Sequence, residues 1–492
     1  MVPTATTPAA STSTPPGSSA SSTTAAGPAR SVDLTVAASF VGPLVEGRAA
    51  FVTITVGNGG PDTAWAPQVS IDLPTAFTEV SSLDPAWSCT VTGSTATCGG
   101  SQLEVGTSSV WVLRGTLRSD IVLQSSRTRS APAVVAPPPL RFRVTDGSGG
   151  VDLHPDSNVV SLSFGAIASG GLGSLDVRMV HGGLAVAANS LLTCDRTEPS
   201  CAAALVSGDN ADARVVPTNT LAASVVGTTA SSSATLTLRE GATVAQAWLI
   251  WGAVSLDGSA LPRLNLGTAW LSTPAVPAEM VTPTFFQTTG TNDFYARANV
   301  TNRVRAAGSG SFGFGLVGGL AGLSGTNQSA GWALVVVYAH PSEPMRTVLV
   351  MDGLQVMGGG PATTVSLGSL SPATATPTAT PAAAQVAIVA FDGDRGQADL
   401  ACINGVRLGD TANPTTAGGG CDQLFPTDDL FNATISVDGV ASQNAQSGTT
   451  TFLGFDADLF STVVPRVSAS SFVVRATADV VRIGFFALAF RT

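Results

Sequence analysis

The chain has 492 residues, 44% of them hydrophobic and only 11% charged, with 53 glycines and 30 prolines. Such a chain is too apolar to stay unfolded throughout and too rich in turn formers for long helices. Its 23 basic residues, all arginine, are outnumbered by 33 acidic ones for a net charge of −10, which argues against a nucleic-acid partner because phosphate contacts need clustered positive charge. The absence of lysine also removes a phosphate-loop lysine, a Schiff base and a lysine-dependent isopeptide cross-link. At this length two or three folding units are expected.

Residues 1–30 are Ser/Thr/Pro/Ala-rich without an apolar period and read as a disordered linker or stalk. They lack the basic and apolar regions of a signal peptide, so the expectation is a removed leader or a piece cut from a longer precursor. From residue 31 short runs such as "SVDLTVAAS", "AAFVTITVGN", "PQVSIDLP", "SSVWVLRGTL", "LRFRVTD" and "NVVSLSF" follow one another, separated by Gly, Pro and Asp turns at the spacing of a sandwich. Within this stretch "WSCTVTGSTATC" places β-branched flanks around Gly93-Ser94, a hairpin pattern. Facing residues at a non-hydrogen-bonded position of such a hairpin lie roughly 4.5 Å apart, so Cys89 and Cys98 can bridge. Cys194 with Cys201, and Cys402 with Cys421, repeat the local pairing. Three such pairs read as disulfides made in an oxidising compartment; the alternative is reduced, buried cysteines in a cytosolic protein. A zinc site is disfavoured, because no C-x-x-C occurs and His154, His181 and His340 are not spaced as partners of the cysteines.

The first unit resembles the immunoglobulin-like conserved repeat domain of bacterial surface proteins. The resemblance rests on the Asn58 to Asp62 turn, Leu73-Pro74, the Trp87 to Cys98 hairpin and the closing Asp156 to Asn158. It covers about 31–165, and departs from the pattern in the long connection at 118–140. It implies secretion and a spacer or display role, and implies no catalysis. After a linker at 167–173, residues 174–492 form a second run of strands. The blocks Gly241-Ala-Thr-Val with Trp251-Gly-Ala, Gly331-Trp-Ala-Leu-Val-Val-Val-Tyr and Gly393-Asp-Arg-Gly are similar to a poorly characterised β domain of bacterial surface and gliding-associated proteins. Strands as apolar as "WALVVVYA" and "IGFFALAF" need cover on both faces, which predicts a larger jelly-roll-like β-sandwich. The run at 371–384 reads as an exposed Pro/Ala/Thr excursion. The fold class expected is therefore all-β, with an immunoglobulin-like sandwich at 31–166 and a larger sandwich at 174–492.

Catalytic patterns fare poorly. "GSGSFG" at 308–313 fits G-x-G-x-x-G but lacks the preceding strand and following helix of a dinucleotide site, and no histidine sits near a G-x-S-x-G elbow. Acidic residues offer more. "FDGDRG" supplies Asp392 and Asp394, "DD" supplies Asp428 and Asp429, and "GFDADLF" supplies Asp456 and Asp458. Alternate aspartates can present oxygens to calcium, and Asp392, Asp394, Asp456 and Asp458 are the candidate ligands; Asp-Gly turns and an Asp394–Arg395 pair explain the same residues without a metal. Paired carboxylates also serve glycoside hydrolysis, which requires a defined separation. Sequons at Asn299, Asn327 and Asn432 read as chance matches, and Trp87, Trp111, Trp248, Trp251, Trp270 and Trp332, mainly in strand contexts, read as core residues and not as a sugar-stacking platform.

These readings converge on a non-catalytic, extracellular or cell-surface structural or adhesive protein. Its expected partners are other surface proteins, copies of itself or glycans, without nucleic acid. No cofactor other than calcium is expected, and no run reaches the roughly 18 apolar residues of a membrane span. The alternatives are a calcium-assisted glycan-binding module and an extracellular hydrolase built on 174–492.

Overall fold

The computed structural model describes residues 30–119, 137–211, 213–220, 228–255, 269–274, 277–287, 292–317, 320, 325–370, 381–416, 418–444, 448–476 and 480–492. The stalk before residue 30, most of the long connection at 118–140 and most of the Pro/Ala/Thr excursion lie outside the described residues. Among the described residues the α-helices, Cys201–Ser207 and Thr301–Ala307, have seven residues each, and the rest of the regular structure is almost entirely strand. No described helix is long and apolar enough to cross a membrane.

The first unit is an all-β sandwich. One layer holds Leu34–Val41, Ala49–Asn58, Phe77–Ser82 and Thr107–Leu117; the other holds Pro67–Asp72, Trp87–Thr92, Thr95–Gly100, Leu140–Asp146 and Val159–Leu162. Leu140–Asp146 alternates buried and exposed positions, as a strand does when one face packs and the other meets water. Between the layers Val52, Ile54 and Val56 pack with Val69, Ile71, Phe142 and Val144, and Trp87 stacks on Trp111 with ring centroids 5.0 Å apart. The Asn58 turn closes this core for a specific reason. Asn58 is buried, its Oδ1 accepts from Gly60 N and Asp33 N, and its Nδ2 donates to Asp62 O and Leu103 O, so one side chain satisfies four backbone groups. A Cβ at position 60 would strike the backbone of Val32 and Asp33, which reserves the site for glycine.

The second unit is organised by Gly173–Ser190, an eighteen-residue strand with different partners along its length. Residues 173–181 pair with Met345–Gly358, and residues 182–190 pair with Gln328–Ala339 on the other flank, both antiparallel. An eleven-stranded sheet therefore turns over on itself at this strand. Leu184, Val186, Ala333, Val335 and Val337 on one limb face Val348, Val350, Val389, Ala457 and Phe485 on the other. The sandwich expected from the sequence is thus built from a single folded sheet. Each outer face carries a further layer. Phe312, Phe314 and Leu271 of a four-stranded sheet cover Trp251, Trp332 and Leu334, while Ile403, Phe472 and Val474 cover Ile388, Phe486 and Leu488. Burial on both faces explains why Gln328–Ala339 and Val480–Arg491 are apolar nearly throughout instead of alternating.

The two units share structure. Val41 pairs with Gly368, Gly42 N donates to Leu367 O at 2.8 Å, and Ser369 N donates to Phe40 O at 3.0 Å. These bonds join strands of both units into one eight-stranded sheet. Within the stretch read as a linker, Ile167–Ala168 pairs in parallel with Leu44–Val45. Val41, Phe51 and Val112 of the first unit lie in the same apolar cluster as Leu349, Met351 and Phe486 of the second.

Candidate functional site

The six cysteines form three disulfides, Cys89–Cys98, Cys194–Cys201 and Cys402–Cys421, with Cα separations of 4.0, 5.4 and 6.2 Å. Cys89 and Cys98 face one another across the hairpin. Cys194 ties the end of Leu192–Cys194 to the start of the first helix, and Cys402 ties Asp399–Ile403 to the loop around 421.

The candidate calcium ligands divide into two neighbourhoods, both on the sheet limb formed by Ala382–Gly393 and Gly454–Val464. In the first, Asp392 adopts φ 67° at a bulge that ends its strand and is almost fully buried. Its Oδ1 accepts from Asn210 Nδ2 at 3.4 Å and its Oδ2 pairs with Arg482 at 3.2 Å. Burial pushes the Asp392 carboxyl up to about 6, with Asp209 adding to the rise while Arg482 and Asn210 oppose it. Asp394 Oδ1 accepts from Asn210 N at 3.2 Å, so both aspartates hold the same loop residue. In the second neighbourhood Asp456 Oδ1 accepts from Thr434 N, and Asp458 Oδ1 accepts from Ser436 Oγ at 2.7 Å. Ser436 Oγ also accepts from Asn413 Nδ2, whose Oδ1 accepts from Thr434 Oγ1. Burial raises Asp458 far above the ordinary carboxylate range, and the neighbouring Asp410 adds to it. Among the described residues no group of three or more His, Cys, Asp or Glu side chains is gathered as a metal site requires.

The Asp428-Asp429 pair separates in role. Asp428 accepts from Phe425 N and Thr416 N, both at 2.7 Å, and pairs with Arg407 at 2.6 Å. Burial works against its ionisation, but these donors outweigh it and hold the carboxyl below the ordinary value. Asp429 accepts from Gly396 N, and partial burial raises it to about 6. The histidines are scattered: His154 lies 3.1 Å from Asp33, His181 Nδ1 from Glu343 O at 3.0 Å, and His340 Nδ1 from Ser342 Oγ at 2.9 Å. "GSGSFG" leads into the strand Gly310–Val317. Asn432 is buried with its amide donating to Ala412 O and Asp429 O, so its sequon is closed to modification. Trp87, Trp111, Trp248, Trp251 and Trp332 are core residues, whereas Trp65 is 55% exposed.

Two features escape the sequence motifs. At the junction Asp352, fully buried, pairs with Arg297 at 2.7 Å and with Arg48 of the first unit; Arg48 also lies over the Phe285 ring, 4.4 Å from its centroid. The other is a groove of about 580 Å³ bounded by residues 184–189, 233–239 and 435–443. Its lining mixes small apolar side chains, Ala185, Ala187, Ala188 and Ala234, with Asn189, Gln385, Arg239 and Asp438. Neither contains a local pattern; segments distant in sequence create both.

No protein-family model matches the chain, and no curated protein does. Among solved structures the chain is similar to the C-terminal domain of the Streptococcus pyogenes antigen I/II-family protein AspA, at 8% identity over 65% of this chain and 95% of that one, with a TM-score of 0.18. A DUF4466 family protein from Parabacteroides merdae is similar at 10% identity over 62% of this chain and 98% of that one, with a TM-score of 0.17. Likeness at this level carries no functional argument.

Proposed function

We propose that the chain is a non-catalytic structural or adhesive protein of the cell surface or the extracellular space. The observation that carries this reading is the junction: one eight-stranded sheet and one apolar cluster run through both units, and a buried carboxylate binds arginines from each. A joint of this kind passes tension through backbone hydrogen bonds and buried packing, which suits a spacer more than a pair of domains that must move. Three disulfides agree with an oxidising compartment. The resemblance of the Asn58 turn and the Trp87 to Cys98 hairpin to bacterial surface repeats points the same way. The carboxyls that burial raises are engaged in holding the structure, Asp392 with Arg482 and Asn210, Asp429 with Gly396 N and Asp458 with Ser436.

External protease treatment of producing cells, combined with alkylation of the released protein, tests this reading. The expected result is release of the protein from intact cells with no thiol open to alkylation. Protein retained inside, with six reactive thiols, would overturn it. Calcium assistance remains a second reading because Asp392 and Asp394 converge on Asn210; a Tm that rises with calcium and falls with chelator, and loses that response in Asp394→Asn, would establish it.

A further inference from the structure

The groove lies where the strand Gly173–Ser190 has lost a neighbour. Met345–Gly358 pairs with it only as far as residue 181, so, among the described residues, 182–190 keep one ladder, with Gln328–Ala339, and no strand pairs with their other edge. Backbone groups of alternate residues point to opposite flanks of a strand. Three contacts identify which ones face the open flank: Gly182 O accepts from Arg346 Nη1, Leu184 N donates to Gln385 Oε1 at 3.0 Å, and Ser190 O accepts from Ser232 Oγ at 2.8 Å. Side chains thus cap the two ends of the edge. Between them the N–H and C=O of Val186 and Ala188 point into the groove, and among the described residues no strand pairs with them there.

The dimensions fit a strand. Residues 184–190 span about 20 Å at the usual rise, and the groove beside them holds about 580 Å³, room for an extended segment of small residues along that edge. Walls that include Ala185, Ala187, Ala188 and Ala234 suit small side chains. Residues 18–26, "SSASSTTAA", are a proline-free run of small, uncharged residues, and they lie in the part of the chain before residue 30.

The chain's own copy of that run cannot reach. Arg30 precedes a strand that meets the second unit at Val41, about 35 Å further on, while Leu184 lies about 33 Å beyond Ser174, which donates to Pro43 at the junction. Leu34–Val41 runs toward the junction within the first unit and Gly173–Ser190 runs away from it within the second, and the four residues from 26 to 30 span at most about 14 Å. We propose that the groove takes residues 18–26 of a second copy, added as an extended strand on the open edge of residues 184–190, so that copies join head to tail. This rests on the structural reading of the protein and supplies its assembly contact, a heterologous one that extends into a fibre unless the rotation closes it.

The test follows amide exchange of the segment 184–190 and sedimentation of the oxidised full chain across a concentration series. The expected result is exchange at Val186 and Ala188 slowed at least tenfold as oligomers form. Both effects should vanish in Ser21→Pro/Thr23→Pro, whose changes precede the described residues, and in Ala234→Trp, which fills the groove. Oligomers that persist unchanged in the double proline variant would overturn the proposal while leaving the structural role intact, as would a strictly monomeric chain released from the cell surface. Protection that appears only on adding a mixed oligosaccharide preparation would also overturn it, and would assign the groove to glycans.

Discussion

Replacing Asp352 with alanine removes the carboxylate on which the junction's charges depend. Asp352 is fully buried, Arg297 lies 2.7 Å from its Oδ2, and Arg48 reaches its Oδ1 from the first unit across 304 positions of sequence. Without it two guanidiniums face Phe285 and Tyr295 with no countercharge. Breaking a buried pair by removing one partner costs about 3–5 kcal/mol, because the remaining charge loses both water and its partner. The side chains of Arg48 and Arg297 are only 17% and 11% exposed, so neither can recover much hydration in place. With a urea slope of about 3 kcal/mol/M, the midpoint should fall by roughly 1 M or more. Arg48→Met leaves the Arg297–Asp352 pair intact and should cost about 1–2 kcal/mol. In combination with Asp352→Ala, the two effects should fall short of additivity by about 1 kcal/mol or more, as expected for groups in one network. Equilibrium unfolding followed by tryptophan fluorescence reads both units at once, through Trp87 and Trp111 in the first and Trp248, Trp251 and Trp332 in the second. An Asp352→Ala protein within about 1 kcal/mol of the parent, or strict additivity with Arg48→Met, would refute the idea that buried charge ties the units together.

Other expectations follow from single sites. Asp392 binds its proton more tightly folded than unfolded, so its contribution to stability is complete below about pH 4 and is lost as pH rises through about 6. From the 1.36 kcal/mol per unit equivalence the change approaches about 3 kcal/mol, and Asp392→Asn should flatten the pH profile of the urea midpoint between 4 and 7; an unchanged slope would contradict the burial argument. Cys402→Ser/Cys421→Ser opens a loop with a separation of 19 and should lower unfolding free energy by about 3 kcal/mol, more than removal of Cys194–Cys201, whose separation is 7. Calorimetry of the two double variants would show the order. A Cβ at Gly331 would run into the Phe455 ring, whereas one at Gly99 meets no atom within 4 Å. Gly331→Ala should therefore cost about 1–3 kcal/mol by overpacking, and Gly99→Ala should be close to neutral; equal effects in thermal unfolding would argue against that packing.

Features that depend on neighbours in sequence were legible without coordinates. The hairpin "WSCTVTGSTATC" contains its own turn and both its cysteines, and the other two disulfides also close short loops, so proximity along the chain already placed the partners together. The apolar run "WALVVVYA" is a strand covered on both faces because its composition admits no solvent face. The aspartates were legible only as residues. Whether Asp392 would meet calcium or Arg482, and whether Asp428 would sit ionised against Arg407 or exposed in a loop, depended on which distant strand arrived beside it.

Tertiary structure alone decided the joint between the units and the groove. The pairing of Val41 with Gly368 and the meeting of Arg48 with Asp352 are set by strand registers more than 300 residues apart, which no local pattern encodes. The open edge at Val186 and Ala188 exists because one strand stops pairing at residue 181, a property of its neighbour and not of its own residues. Sequence by itself determined the all-β class, the places where strands turn and the local cross-links, since these follow from backbone preference and short loops. Burial, charge pairing and vacancy are relations between distant segments, and they come into being only when the sheets close.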